Sequence, residues 1–179
     1  MVIVGIDGAG KTSILERMKA VFASKKPAVP LHKIQSTVGL NIVKLELCGC
    51  RVMFWDLGGA EQMRGLWERY FADSQGWMFV LDAADGGRLE EAKVAFSRAW
   101  DHPDLKTVPC LLVANKQDAP NALCADEVLS AFDVRERQAG RSLKLQPSSA
   151  ATTEGIRDGV IWLVRQAKLQ GPTITSSRS

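Results

Sequence analysis

The chain reads as an α/β fold: a mostly parallel, six-stranded sheet with one antiparallel hairpin at its edge and helices on both faces. Three observations lead there. Two apolar runs, GWMFVLD (76–82) and VPCLLVAN (108–115), have the unbroken hydrophobicity of strands covered on both sides. Segments with apolar residues three and four positions apart separate such runs, the strand–helix alternation of a parallel sheet. Finally, Cys48-Gly49-Cys50 joins two strand-like stretches with no room for a crossover helix, so that pair must be a hairpin.

In order, the chain opens with a short apolar strand at Val2, followed by a glycine-rich loop. TSILERMKAVF then places Ile14, Leu15, Met18, Val21 and Phe22 on one helical face, with a break near Ser24-Lys25-Lys26-Pro27. Residues 25–37, with Pro27 and Pro30, read as a mobile polar loop. VGLNIVKLEL (38–47) alternates with period two, and RVMFW (51–55) is its hairpin partner. Residues 57–75 are partly helical and rich in charge, followed by the strand at 76–82 and a helix over 88–100 with Leu89, Ala92, Phe96 and Ala99 inward. After the strand at 108–115 come a short helix (125–132), a last strand (143–146) and a closing helix (153–169) with Ile156, Val160, Leu163 and Val164 inward.

Composition excludes several classes. At 179 residues, 46% hydrophobic and 24% charged, this is an ordinary globular chain able to bury a core without staples. Its net charge of +3 is too small to argue for nucleic acid. Cys48, Cys50, Cys110 and Cys124 form no C-x-x-C pair and have only His32 and His102 to help, so free thiols in a reducing cytosol are expected rather than zinc. No signal peptide or membrane span is evident, and the tail GPTITSSRS carries no prenylation box. Only Met1 precedes the first strand, which implies trimming upstream or an unusual start.

Three motifs carry chemistry. Gly5, Gly10, Lys11 and Thr12 fit G-x-x-x-x-G-K-[ST] between a strand and a helix. Glycines let the backbone close around a polyphosphate, and successive N–H groups with the helix N-terminus present positive charge to it. Lys11 reaches the outer phosphates and the Thr12 hydroxyl ligates Mg²⁺. Asp56, ending a strand in WDLGG, can hold Mg²⁺ through water while the Gly59 N–H approaches a terminal phosphate, the alternative being a plain turn with no ligand. Thr37, in the loop before the hairpin, reads by itself as an ordinary loop threonine, although a hydroxyl there could meet Mg²⁺ and the third phosphate. In Asn115-Lys116-Gln117-Asp118, the Asp118 carboxylate accepts two hydrogen bonds from guanine, a donor pair that adenine lacks. Lys116 lays its stem along the base and ties back to the phosphate loop. An NKxD tetrapeptide alone is common, but third in order on the right strand end it is specific.

Taken together, GIDGAGKTS, STVGLNI, FWDLGG, ANKQD and QPSSA resemble a small Ras-superfamily GTPase of the ADP-ribosylation-factor group, over nearly all of the chain. LHKIQSTVGLNI and VMFWDLGGAEQMRGLWERYFADSQG are most similar to its ADP-ribosylation-factor-related, Golgi-trafficking branch. The resemblance implies a P-loop small-GTPase fold, with a GTP-binding domain over 1–170 and a flexible polar tail over 171–179. It implies that Gly5, Asp7, Gly8, Ala9, Gly10, Lys11, Thr12 and Ser13 hold the phosphates of GTP or GDP. Thr12 and Thr37 would ligate Mg²⁺ with Asp56 through water, and Asn115, Lys116 and Asp118 would hold guanine, backed by Ser149 and Ala150. Leu40, Trp55 and Tyr70 match the apolar effector-docking cluster. A monomer served by effectors, an exchange factor and a GTPase-activating protein is implied, cytoplasmic and peripheral at the Golgi, with a hairpin that slides in register between nucleotide states.

Two departures from the family pattern matter. The N-terminal amphipathic helix is missing from this sequence, so membrane attachment would be weak. And Ala60 stands where the family has the glutamine that orients the attacking water, beside the Lys11 and Gly59 contacts to the terminal phosphate. A methyl group neither donates nor accepts a hydrogen bond, and Glu61 and Gln62 are one and two residues out of register. The sequence therefore predicts slow hydrolysis, whether Ala60 is a deliberate substitution or a natural one.

Overall fold

The computed structural model describes residues 1–23 and 29–171. Its strands are Val2–Val4 (β1), Leu40–Leu47 (β2), Cys50–Leu57 (β3), Trp77–Asp82 (β4), Cys110–Asn115 (β5) and Leu143–Pro147 (β6). Its α-helices are Lys11–Ala23 (α1), Leu89–Trp100 (α2), Ala125–Ala131 (α3), Val134–Arg137 (α4) and Ile156–Leu169 (α5). One sheet runs in the order β2-β3-β1-β4-β5-β6. Its neighbouring strands pair in parallel except β2 with β3, which is antiparallel. This is the expected mixed sheet with its hairpin at one edge.

Side chains alternate faces along a strand, and here both faces are dry. Val2, Val4, Trp77, Phe79, Leu81, Cys110, Leu112 and Ala114 join one core, against Phe96 of α2, Val128 of α3 and Val134 of α4. Ile3, Met78, Val80, Leu111 and Val113 join the other, against Ile14, Leu15 and Met18 of α1 and Val160, Leu163 and Val164 of α5. That two-sided burial is why β4 and β5 carry unbroken apolar runs. The hairpin instead alternates buried and exposed residues, because β2 is covered on one side only.

Some element boundaries differ from expectation. The charged 57–75 stretch contains a 3₁₀ segment, Glu61–Tyr70. The closing helix starts at Ile156, after Gly155 turns the chain with φ 73°. Helix α4 is too short to leave a periodic signal. In the polar loop, Leu31–Lys33 form one 3₁₀ turn. The expected break at 24–27 and the tail beyond residue 171 lie outside the described residues. Among the described residues no helix is long and apolar enough to cross a membrane.

Candidate functional site

All three motifs stand at the carboxyl edge of the sheet. The phosphate loop leaves β1, which lies between β3 and β4, so the sheet extends away from it on both sides. Such a crossing point leaves a crevice at the strand ends. Here it is a cleft of about 380 Å³ lined by phosphate-loop residues, the 34–38 segment, Gly59, Ala60, Gln62 and Met63. A larger hollow, about 690 Å³ between β3 and α5, contains none of the phosphate-loop, Gly58–Gly59 or NKQD residues. The chemistry belongs to the smaller one.

Helix α1 begins at Lys11 with no acidic residue in its first turn, and its first bond is Ile14 N–H to the Gly10 carbonyl at 2.8 Å. The preceding N–H groups and the positive end of the helix dipole therefore face the loop uncompensated. Gly10 has φ 92°, and a Cβ there would run into Asn115 Nδ2, so both conformation and space demand glycine. Lys11 is buried, and its ammonium donates to the Ile6 carbonyl at 2.9 Å. Burial lowers its pKa to about 8, against the opposing pull of Asp56 and Asp7.

Thr12, Thr37 and Asp56 come from three separate segments and meet. Thr12 Oγ1 donates to Asp56 Oδ2 at 2.6 Å, Thr37 Oγ1 donates to the same oxygen at 3.0 Å, and the two hydroxyls are 2.6 Å apart. Asp56 is fully buried, and its other oxygen, Oδ1, has no hydrogen-bond partner among the described residues. Burial pushes the Asp56 carboxyl up, with the Thr12 bond and the Lys11 charge pulling it back down. Two hydroxyls around a carboxylate with a spare oxygen are hard-oxygen donors suited to Mg²⁺.

On the other side, Asn115 is spent on bracing. Its amide donates to the Ala9 carbonyl at 2.9 Å and accepts from Ala150 N–H at 3.1 Å, joining the phosphate loop, β5 and the β6–α5 connection. Ser149 Oγ donates to Asp118 Oδ1 at 2.5 Å and also receives the Ala151 and Thr152 N–H groups. Lys116 differs from expectation. Its ammonium sits on Asp82 Oδ2 at the end of β4, 2.5 Å away, and the link to the phosphate loop is made by Asn115 instead. A carboxylate is the stronger partner for an ammonium. Lys116 also holds φ 67°, a sparsely populated conformation for a side-chain-bearing residue.

The Gly58-Gly59 turn is gripped from outside. Buried Trp67 donates its indole N–H to the Gly58 carbonyl, and Arg64 Nε donates to the Gly59 carbonyl, both at 2.9 Å. Arg64 pairs in turn with Glu91 and lies 3.8 Å from Asp7. Arg88 bonds Glu91 Oε2 at 2.8 Å, the Asp7 carbonyl at 2.9 Å and the Asp7 carboxylate at 2.8 Å. Arg88 and Arg64 hold the Glu91 carboxyl down to about 2, and Arg88 lowers that of Asp7. Sequence reasoning missed Arg64, Arg88 and Glu91. Arginines give no sign in sequence of pairing with a glutamate 27 positions on or an aspartate 81 positions back.

Ala60 lines the cleft and caps the 3₁₀ segment, its carbonyl accepting from Met63 N–H at 2.8 Å. Gln62 lines the cleft as well, whereas Glu61 is exposed outside it. On the hairpin, Trp55 and Tyr70 meet edge to face, ring centres 5.1 Å apart. Leu40 lies on the same face as Trp55 and is exposed, with Ile42 directly across from Trp55. Exposed Ile42 and Met53 enlarge this apolar patch. Both belong to the same alternating set as Leu40 and Trp55, the one signal that marked them.

A phosphate loop opposite a metal-suited cluster and a braced NKxD segment, on this sheet, defines the small-GTPase class. Comparisons narrow it. The model of the ADP-ribosylation factor family matches residues 1–167. ADP-ribosylation factor-related protein 1 of Homo sapiens is 40% identical over 166 residues, 92% of this chain and 83% of that protein. ADP-ribosylation factor-like protein 3 of Saccharomyces cerevisiae is 32% identical over the same shares. The solved Arl6 BBS3 small GTPase of Trypanosoma brucei, which holds the nucleotide analogue GppNp, superposes with a TM-score of 0.82 at 30% identity, covering 95% of this chain and 97% of that one. The chain belongs to the ADP-ribosylation factor family of small GTPases.

Proposed function

We propose that residues 1–170 form a guanine-nucleotide switch that binds GTP and GDP, recruits effectors when GTP-bound and hydrolyses GTP slowly. One observation carries this reading. Thr12, Thr37 and Asp56 converge although they come from the phosphate loop, the following loop and the end of β3. Thr12 and Thr37 would hold Mg²⁺ directly and Asp56 through water; the bound ion neutralises charge on the outer phosphates. Metal and terminal phosphate would hold the Thr37 loop at this cluster and their loss would loosen it, which is the physical basis of a switch. Lys11 and residues 7–13 serve the phosphates, and Asp118, steadied by Ser149, serves guanine. The GppNp held by the Trypanosoma relative supports the choice of nucleotide. Leu40, Trp55 and Tyr70 are the effector-facing patch. The similarity to ADP-ribosylation factor-related protein 1 supports a trafficking role at trans-Golgi or endosomal membranes, with an exchange factor and an activating protein as regulators.

The slow turnover rests on Ala60, whose methyl group cannot orient a water. In a single-turnover assay with bound GTP, Ala60→Gln should hydrolyse about a hundredfold faster, the low end of what positioning one catalytic group contributes. A fast parent, or a variant no faster, overturns it. A second reading, a nucleotide-stabilised interaction module without useful turnover, is favoured by the same residue. It predicts no hydrolysis in parent or variant. Chromatography of the nucleotide carried through purification tests guanine against adenine independently.

A further inference from the structure

The peptide groups of the Gly58-Gly59-Ala60 turn are oriented from outside the cleft. In a trans peptide the C=O and the following N–H point in opposite directions. Trp67 draws the Gly58 carbonyl one way, which turns the Gly59 N–H the other. Arg64 draws the Gly59 carbonyl and so turns the Ala60 N–H likewise. Gly59 and Ala60 both line the cleft with Lys11. The fit on that side is tight: a Cβ on Gly59 would lie 2.5 Å from Asp7 N and from the Gly5 carbonyl, and closer still to Lys11 Nζ. The turn therefore rests directly on the phosphate loop. Its fastening is also not a lone contact, because Arg64 reaches Glu91 on α2, and Arg88 joins Glu91 to Asp7 of that same loop.

We propose that Arg64 is a positioning residue for triphosphate recognition: anchored by Glu91, it holds the Gly59 carbonyl so that the neighbouring peptide N–H groups are presented beside Lys11, where a third phosphate would sit. With no polar side chain at residue 60, the backbone N–H is the donor that position retains. Arg88 has a different task, since it holds Asp7 and thus the loop that both nucleotides use. The inference rests on the guanine-nucleotide reading above.

The test compares dissociation of fluorescently labelled GDP and GppNHp from the parent, Arg64→Gln, Arg64→Lys, Glu91→Gln and Arg88→Gln proteins. Arg64→Gln should release GppNHp about tenfold faster, the scale of one hydrogen bond from a charged donor, and GDP within about twofold of the parent. Arg64→Lys keeps the charge but loses the planar fork that spans Gly59 and Glu91, so it should behave like Gln rather than rescue. Glu91→Gln, with Arg64 intact, should move the same ratio in the same direction by a smaller factor, which covers the case of an Arg64 variant that folds poorly. Arg88→Gln should speed both nucleotides. Arg64 variants that speed both equally, or neither, mark a structural clip and overturn the inference alone. A parent that retains neither nucleotide overturns the nucleotide reading and this inference with it.

Discussion

Asn115 donates a hydrogen bond to the carbonyl of Ala9, 106 positions earlier in the chain, and the two atoms lie 2.9 Å apart in a dry interior. The same amide accepts from Ala150 N–H. One side chain thus fastens three loops. Asn115→Ala leaves a buried carbonyl and a buried N–H without partners, at a cost of about 2–4 kcal/mol. Thermal unfolding of the nucleotide-free protein should fall by roughly 5–12 °C for a chain of this size. Asn115→Asp should be no milder, because it keeps the acceptor for Ala150 but sets a carboxylate against the Ala9 carbonyl. A variant melting with the parent would show that the brace is slack.

The Arg88–Glu91–Arg64 chain gives stability an acid limb. The folded Glu91 carboxyl titrates at about 2, below its ordinary value of 4.5. The unfolded state therefore takes up its proton first, and the stabilisation is fully present above about pH 4.5 and lost as pH falls towards 2. Thermal melts of parent and Glu91→Gln should differ at pH 7 and converge near pH 2. The groups are partly exposed, so the gap at pH 7 should shrink in high salt. A gap unchanged between pH 7 and pH 3 would place the stabilisation elsewhere.

Phe96 separates stability from function. It is fully buried on α2, stacked against Trp77 and Trp100 with ring centres 5.7 Å away in each case, and meets Phe79 and Phe132 edge to face. Phe96→Ala should cost about 3–5 kcal/mol through lost burial and the cavity left behind. Nucleotide dissociation from the folded fraction should change little, because none of these rings touches the cleft. Denaturant melts beside dissociation kinetics check both halves.

The contrast between Lys116 and Arg64 marks where sequence legibility ends. Strands β4 and β5 were readable because burial on both faces leaves an unbroken apolar run. The site's location was readable because glycine, lysine and threonine at set spacing have few other uses between a strand and a helix. For Lys116 the strand end is legible but the partner is not, since both Asp82 and the phosphate loop are remote in sequence and only the packing of β4 beside β5 selects one. The links from Arg64 to Glu91 and from Arg88 to Asp7 are invisible for the same reason: ion pairing across separate elements depends on how helix and turn meet, and only the local Arg88–Glu91 spacing is of a kind that sequence records. The extra apolar residues Ile42 and Met53 lay between these cases. Their alternation was legible, but which face stayed bare was not.

The Asn115 brace also bears on how the protein is made. A chain emerging from the ribosome exposes the phosphate loop first, then waits through more than a hundred residues for Asn115 and longer for Ala150. Contacts this distant in sequence close late, after the loops between them have collapsed. Until then the opening loop has its glycines and its lysine but no wall behind Ala9. Nascent chains should thus be unable to hold a nucleotide until β6 and the segment after it have left the exit tunnel, so that loading follows the making of nearly the whole sheet.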